Sequence, residues 1–418
     1  VKARAARSGA GVVAGFESGA GGATFLTEVV GLLWPGAPAA EGAGRREPGV
    51  TQEILVLPNT ASPRLLLPLR PGRVARAALT RHAVSRSGKD RLVRAVAGGV
   101  AQVGLGRLLS RDKLTVPIPS GVEQYLSGVL GTTVVVGVHL GPPRANRKPV
   151  LQVLDDAGRT LAYAKVGVGR LSDDLIRREG EALERLAGLV GSKVRVPSLL
   201  HTGEWQERPI VVQSALPVWE AGTADDPGAR ADAMRAVSQV AGTSVRALAG
   251  SPFAVRLQAA VDAVTDDAFA ADLRRLTVAL LDCDLELTFG SWHGDWSPGN
   301  TAYLDDHVLL WDWERFAGDV PLGMDAVHFA LQEGITRRAL GHEGAARDVL
   351  RRAPELLEPF GVPASAAGRV AALTLVELGA RYAGDGQAAA GARLGQLDRW
   401  LVPAVGDLLA DGLSRGVS

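Results

Sequence analysis

Between residues 132 and 168 the apolar residues of this chain fall into three runs, TTVVVGVHLG, PVLQVLDDAG and RTLAYAKVGV, which are rich in β-branched residues and alternate with a period of two. An Asp-Asp-Ala-Gly turn joins the last two. Such a pattern specifies an antiparallel meander and divides the chain, because the stretch before Gly131 has helical spacing. After the meander, Ser172 caps a helix to about Leu189, and two short strands follow in VPSLLHTGEW and RPIVVQSALP. Residues 225–286 are mostly helical, a hairpin TAYL-DDH-VLLWDW occupies 301–313, and helices resume to the C-terminus. A β-rich unit with one helix, expected at 131–217, followed by a mainly helical unit at 218–418, gives an α+β chain.

The 418 residues, 46% of them hydrophobic, suffice for at least two packed cores. The net charge of +1 excludes nucleic-acid binding by bulk electrostatics, yet it hides an asymmetry. Residues 1–120 carry 17 Lys/Arg against 7 Asp/Glu, and the remainder 29 against 38, so a break near 120 is expected. Residues 35–49, PGAPAAEGAGRREPG, have linker composition, and residues 1–50 are expected to be poorly ordered. A basic extension of mixed and helical character follows over 51–130. It includes ILVL, LLLPL and a basic helical stretch from Gly72 to Ser110, with Leu92, Val93, Val96, Val100 and Val103 apolar. That stretch reads as a helix packed on its own domain with solvated arginines, in preference to a membrane-surface helix. Ser120-Gly-Val-Glu123 has capping-box spacing and starts a short helix before Gly131. The single cysteine, Cys283, rules out an intrachain disulfide and fits a reducing cytoplasm. No apolar run approaches a membrane span, and the sequence sets no oligomeric state.

On the helix from Ser172, rotation by 100° per residue gathers Leu175, Ile176, Leu183, Leu186 and Leu189 on one face, with Glu179 near its centre. Glu181 and Glu184 point away. A carboxylate inside an apolar stripe is costly without a positive partner, and Lys165, in the preceding strand, is the candidate. Further on, Ser291-Trp-His-Gly-Asp-Trp-Ser-Pro-Gly-Asn300 sets His293, Asp295 and Asn300 in the spacing H-x-D-x-x-x-x-N, and Asp312 lies in Trp311-Asp-Trp-Glu314 at the end of the hairpin. Phosphoryl transfer needs such a set: one carboxylate to accept the proton of an attacking hydroxyl, and an amide oxygen with a second carboxylate to hold Mg²⁺ on nucleotide phosphates.

In the order strand Lys, helix Glu, HGD, Asn, hairpin, D-x-E, residues 130–335 resemble the aminoglycoside phosphotransferase and choline kinase branch of the protein-kinase-like fold. The resemblance implies an ATP-dependent small-molecule kinase acting on a sugar, amino sugar, aminoglycoside or amino alcohol hydroxyl. By it, Lys165 contacts the nucleotide phosphates, Glu179 holds Lys165, and Asp295 with His293 forms the catalytic pair. Asn300 and Asp312 bind Mg²⁺, Gln213-Ser214-Ala215-Leu216 is the hinge that meets adenine, and Asp325 braces the catalytic loop. Trp296 and Ser297 depart from the family pattern, and Gly141-Pro-Pro-Arg-Ala-Asn-Arg-Lys148 is not a glycine-rich phosphate loop, leaving Arg144 or Lys148 as candidates for phosphate cover. Of the four tryptophans around the motif, Trp311 reads as core, whereas Trp296 is open to either core packing or substrate stacking. Hydrolase, zinc-helix, P-loop and Rossmann signatures are absent. The rival readings are a nucleotide-binding pseudokinase and, less well supported without HRD, DFG and APE forms, a protein kinase.

Overall fold

One large sheet, most of whose strands are buried on both faces, organises the first half of the molecule. The computed structural model describes residues 19–36, 50–69, 72–80, 112–118, 121–189, 193–222, 225–304, 307–390 and 396–415. In chain order the small lobe contains α1 (Gly19–Leu33), β1 (Val50–Leu57), β2 (Leu65–Pro68), α2 (Gly72–Thr80), β3 (Lys113–Ile118), α3 (Val122–Leu130), β4 (Val135–Leu140), β5 (Pro149–Leu154), β6 (Thr160–Val166), α4 (Arg170–Leu186), β7 (Val194–Arg195), β8 (Leu199–Trp205) and β9 (Arg208–Ser214). Eight of these strands form one antiparallel sheet in the order β3-β1-β2-β4-β5-β6-β9-β8. On one face Ile54, Val56, Val136, Val138, Leu151, Val153, Ala162 and Ala164 pack with Val29, Leu33 and Trp34 at α1 and with Val122 and Leu126 of α3. On the other face Leu55, Leu65 and Leu67 meet Ala75, Ala78 and Leu79 of α2. Alternation along β6 therefore turns Lys165 away from Ala164 and Val166, to the side where Ile176, Leu183 and Leu186 of α4 pack on Val211.

This small lobe differs from expectation in its first 130 residues. Residues 19–34 are not a loose leader: α1 buries Val29, Val30 and Leu33, with Trp34 just beyond, and each such side chain contributes about 1.5–3 kcal/mol. Strands β1 to β3 run straight on from β4, so the sheet continues across the boundary expected at 131. Their four-to-eight-residue lengths and the intervening polar segments masked that continuity in the sequence. Of the basic stretch, Gly72–Thr80 is helical, and Leu92, Val93, Val96, Val100 and Val103 lie outside the described residues, as do residues 1–18 and 37–49. Helix α3 starts with Gly121 as its N-cap, Ser120 being outside the described residues, and ends at Gly131 with φ +66°.

The large lobe comprises α5 (Pro227–Gln239), β10 (Ser244–Ala247), α6 (Pro252–Asp262), α7 (Asp267–Leu281), β11 (Glu286–Trp292), β12 (Thr301–Leu304), β13 (His307–Leu310), β14 (Ala317–Pro321), α8 (Met324–Thr336), α9 (Gly341–Arg351), α10 (Ala353–Leu357), α11 (Ala364–Gly384) and α12 (Leu397–Arg415). Strand β10 interrupts the region read as helical and pairs with β11, which also pairs with β14. The hairpin of β12 and β13 adds β7 in parallel, bridging to the segment after α4. The helices pack around Phe253, Leu257, Phe269, Leu273, Val370 and Leu375. Among the described residues no single helix is long and apolar enough to cross a membrane.

Candidate active site

Lys165 and Glu179 meet because a strand face and a helix face are stacked. The Lys165 ammonium donates to both oxygens of Glu179, at 2.6 and 2.7 Å, and to Oδ1 of Asp312 at 2.7 Å. Glu179 is fully buried, whereas Glu181 and Glu184 on the same helix are exposed. Burial alone would push the Lys165 ammonium down, but Asp312, Glu179 and Glu314 outweigh it and the net direction is up. Asp312 is likewise opposed by burial, yet Lys165 and Lys148 hold its carboxyl below the usual range. Asp312 has φ +74°, a left-handed conformation that costs a non-glycine residue energy and that the surrounding ion pairs and packing must enforce.

The loop after β11 carries the rest of the motif. The backbone N–H groups of His293 and Gly294 donate to Asp325 of α8, at 2.7 and 3.1 Å. Gly294 has φ +78°, and a Cβ there would lie 2.4 Å from the Arg315 carbonyl oxygen, so the middle position of the HGD triplet accepts only glycine. Arg381, from α11, donates to the Gly294 carbonyl at 2.7 Å and lies over the Trp292 ring. Its place in a helix 87 residues onward left no local signal of this role.

His293 is corrected by its surroundings. It is fully buried, Nε2 faces the Trp311 carbonyl at 3.1 Å, and Nδ1 accepts the Asp295 N–H at 3.1 Å. A carbonyl only accepts and an amide only donates, so the ring is neutral with its proton on Nε2. Burial agrees, lowering its pKa to about 4. Both nitrogens serve the backbone, so His293 positions the loop and does not belong to the catalytic pair.

Asp295 is partly open, with its side chain 37% exposed. Its dense surroundings push the carboxyl up to about 6, with Arg381 pulling down and Asp312 and Glu314 pushing further up. Asn300 donates through Nδ2 to the Asp295 backbone oxygen at 3.0 Å and to Oδ2 at 3.1 Å, which turns its own Oδ1 to the other side. A partly open carboxylate on Asp312 and a spare amide oxygen on Asn300 are hard oxygen donors of the kind a magnesium ion takes. One carboxylate oxygen each from Glu179, Asp312 and Glu314 also fall within 4.8 Å of one another, with Lys165 and Lys148 as their counter-ions.

Gln213 is the last residue but one of β9, buried and paired with Tyr163, and Ala215, just past the strand, is half-buried where the chain passes between lobes. Leu216 packs with Ala302, Leu309 and the half-buried Trp311, forming the apolar wall beneath that crossing. Trp296 is fully buried among Ile176, Leu183 and Trp313, which excludes the stacking-platform reading, and Trp292 is buried as well. Sequence reasoning placed Glu314 in the D-x-E segment but missed its partners: Asn146 donates to its Oε1 at 3.0 Å and Lys148 pairs with Oε2. Lys148 is therefore engaged with a carboxylate and is not a free phosphate ligand.

A β-rich lobe with its paired Lys and Glu, over a helical lobe with the loop, hairpin and D-x-E segment, is the two-lobed, protein-kinase-like α+β fold. No protein-family model matches the chain, and no curated protein does. Among solved structures it is similar to a candidate fructosamine-3-kinase from Haemophilus somnus 129PT (13% identity, 70% of this chain and 96% of that one, TM-score 0.43). Others are the amicoumacin kinase hAmiN with AMP-PNP, Ca²⁺ and Ami (11%, 66% and 88%, 0.42) and a glucosamine kinase with glucosamine, ADP and inorganic phosphate (16%, 65% and 81%, 0.36). At such identities and scores the likeness assigns neither an acceptor nor the role of any residue.

Proposed function

We propose that this chain is an ATP-dependent phosphotransferase that moves the γ-phosphoryl group to a hydroxyl of a small molecule, of the sugar, amino sugar, aminoglycoside or amino alcohol class, in a reducing, cytoplasmic setting. The observation that carries the reading is Lys165 held between Glu179 and Asp312 at the mouth of the loop bearing Asp295 and Asn300. Lys165 supplies positive charge for nucleotide phosphates, and Glu179 fixes its direction. Asp295, half-open and with a pKa near 6, accepts the acceptor hydroxyl's proton. Asp312 and Asn300 would hold Mg²⁺, whose charge offsets that of the phosphates in the transition state. Gln213 is paired within the sheet on both sides, so the adenine would meet the backbone at Ala215, just past the strand and beside the apolar wall of Leu216. The test is ADP release by the purified protein with MgATP across a panel of these four acceptor classes. Acceptor-dependent ADP production supports the reading; MgATP binding with no acceptor-dependent turnover favours a nucleotide-binding protein without catalysis.

A further inference from the structure

The loop between β4 and β5, residues 141–148, lacks the glycines that let a backbone wrap phosphates, and it is fastened by side chains. Lys148 and Asn146 engage the two oxygens of Glu314, so this large-lobe carboxylate is held entirely from the small lobe. Gln387, just past α11, accepts the Ala145 N–H at 3.2 Å and donates to Asn146 Oδ1 at 3.2 Å. Its Nε2 also approaches Asp385, which pairs with Arg315, the residue after Glu314. Lys148 and Glu314 are each at least nine-tenths buried, and a buried ion pair persists only when its geometry and hydrogen bonds offset desolvation. Glu314 stands two residues from Asp312, and the charges of Lys148 and Glu314 both act on Glu179.

We propose that Lys148 is a positioning residue and that, with Asn146 and Gln387, it clasps loop 141–148 onto the large lobe, holding the loop down over the Lys165–Asp312 centre. The clasp also keeps the Glu314 charge engaged, so that Asp312 and Asn300 alone are left to face the metal. Substrate binding then meets a loop already ordered, and side-chain ties replace the backbone cradle of a glycine-rich loop. The clasp itself is visible without nucleotide; its effect on nucleotide affinity rests on the phosphotransferase reading.

Hydrogen exchange of the peptide covering 141–148, followed by mass spectrometry on the ligand-free protein, tests the clasp. Lys148→Met and Gln387→Ala should both speed exchange there by about tenfold or more, whereas Lys148→Arg should stay near wild type. Calorimetric titration of the magnesium complex of AMP-PNP should find weaker binding in Lys148→Met and Gln387→Ala alike, although Gln387 carries no charge. Gln387→Ala also serves if Lys148→Met fails to fold. Wild-type exchange in the loop of both variants overturns the proposal. So does a Lys148→Met protein that loses nucleotide affinity with the loop still protected, because Lys148 would then be a direct phosphate ligand. Faster exchange in a protein that binds no nucleotide leaves the clasp standing and removes the phosphotransferase reading instead.

Discussion

Asp295 sits where two demands on a carboxylate conflict, and this gives the pair of predictions that belong to single residues. With Asp295 as the proposed proton acceptor, a pKa near 6 leaves it half-ionised at that pH, so kcat/KM should fall about tenfold per pH unit below it. Arg381 lowers that pKa, hence Arg381→Met should move the acidic limb to higher pH while Arg381→Lys moves it less; a pH–rate profile unchanged in Arg381→Met contradicts the assignment. The same residue costs stability. A folded-state pKa above the ordinary 3.8 means the folded protein holds the proton more tightly than the unfolded chain, so ionised Asp295 destabilises above pH 6. Asp295→Asn should therefore raise Tm at pH 7.5 and give a smaller gain near pH 4, as measured by thermal melting. Spacing alone made the grouping of Asp295, Asn300 and Asp312 legible. The roles of His293 and Arg381 were not, because they depend on which backbone groups close around each side chain.

At the level of elements, two periodicities carry the Lys165–Glu179 pair: alternation on β6 and rotation on α4 put both on facing surfaces. Glu179→Gln should lower kcat/KM for ATP on the order of tenfold, whereas the exposed Glu181→Gln should change it little. Equal effects in steady-state kinetics would contradict the facing arrangement. The hairpin was legible too, its β12 and β13 matching the alternating runs. Strand β10 was not, since Ser244–Ala247 is four residues long and pairs with a strand some forty residues away in sequence. Helix α1 hid in a glycine-rich sequence whose apolar residues gain meaning only against the sheet they cover.

Across the whole molecule, the sequence divided at a change of period and charge, but the fold does not divide there. Since α1 covers the sheet through Val29, Leu33 and Trp34, removal of residues 1–36 should lower Tm by roughly 5 °C or more, or yield insoluble protein. An unchanged melting curve would show that α1 contributes nothing to the small lobe. The link between lobes was the least legible feature of all, because Lys148 and Glu314 are 166 residues apart and nothing in the sequence pairs the two. The central claim is that Asp295 acts on the acceptor and Asp312 on the metal. It is tested most directly by calorimetric titration of MgATP into the wild type, Asp295→Asn and Asp312→Asn, beside acceptor-dependent ADP release. The account predicts near wild-type MgATP affinity in Asp295→Asn with turnover reduced by about 10²-fold to 10⁴-fold. In Asp312→Asn it predicts that magnesium-dependent nucleotide binding and turnover fall together. Equal loss of nucleotide affinity in the two variants, or full turnover in Asp295→Asn, would contradict it.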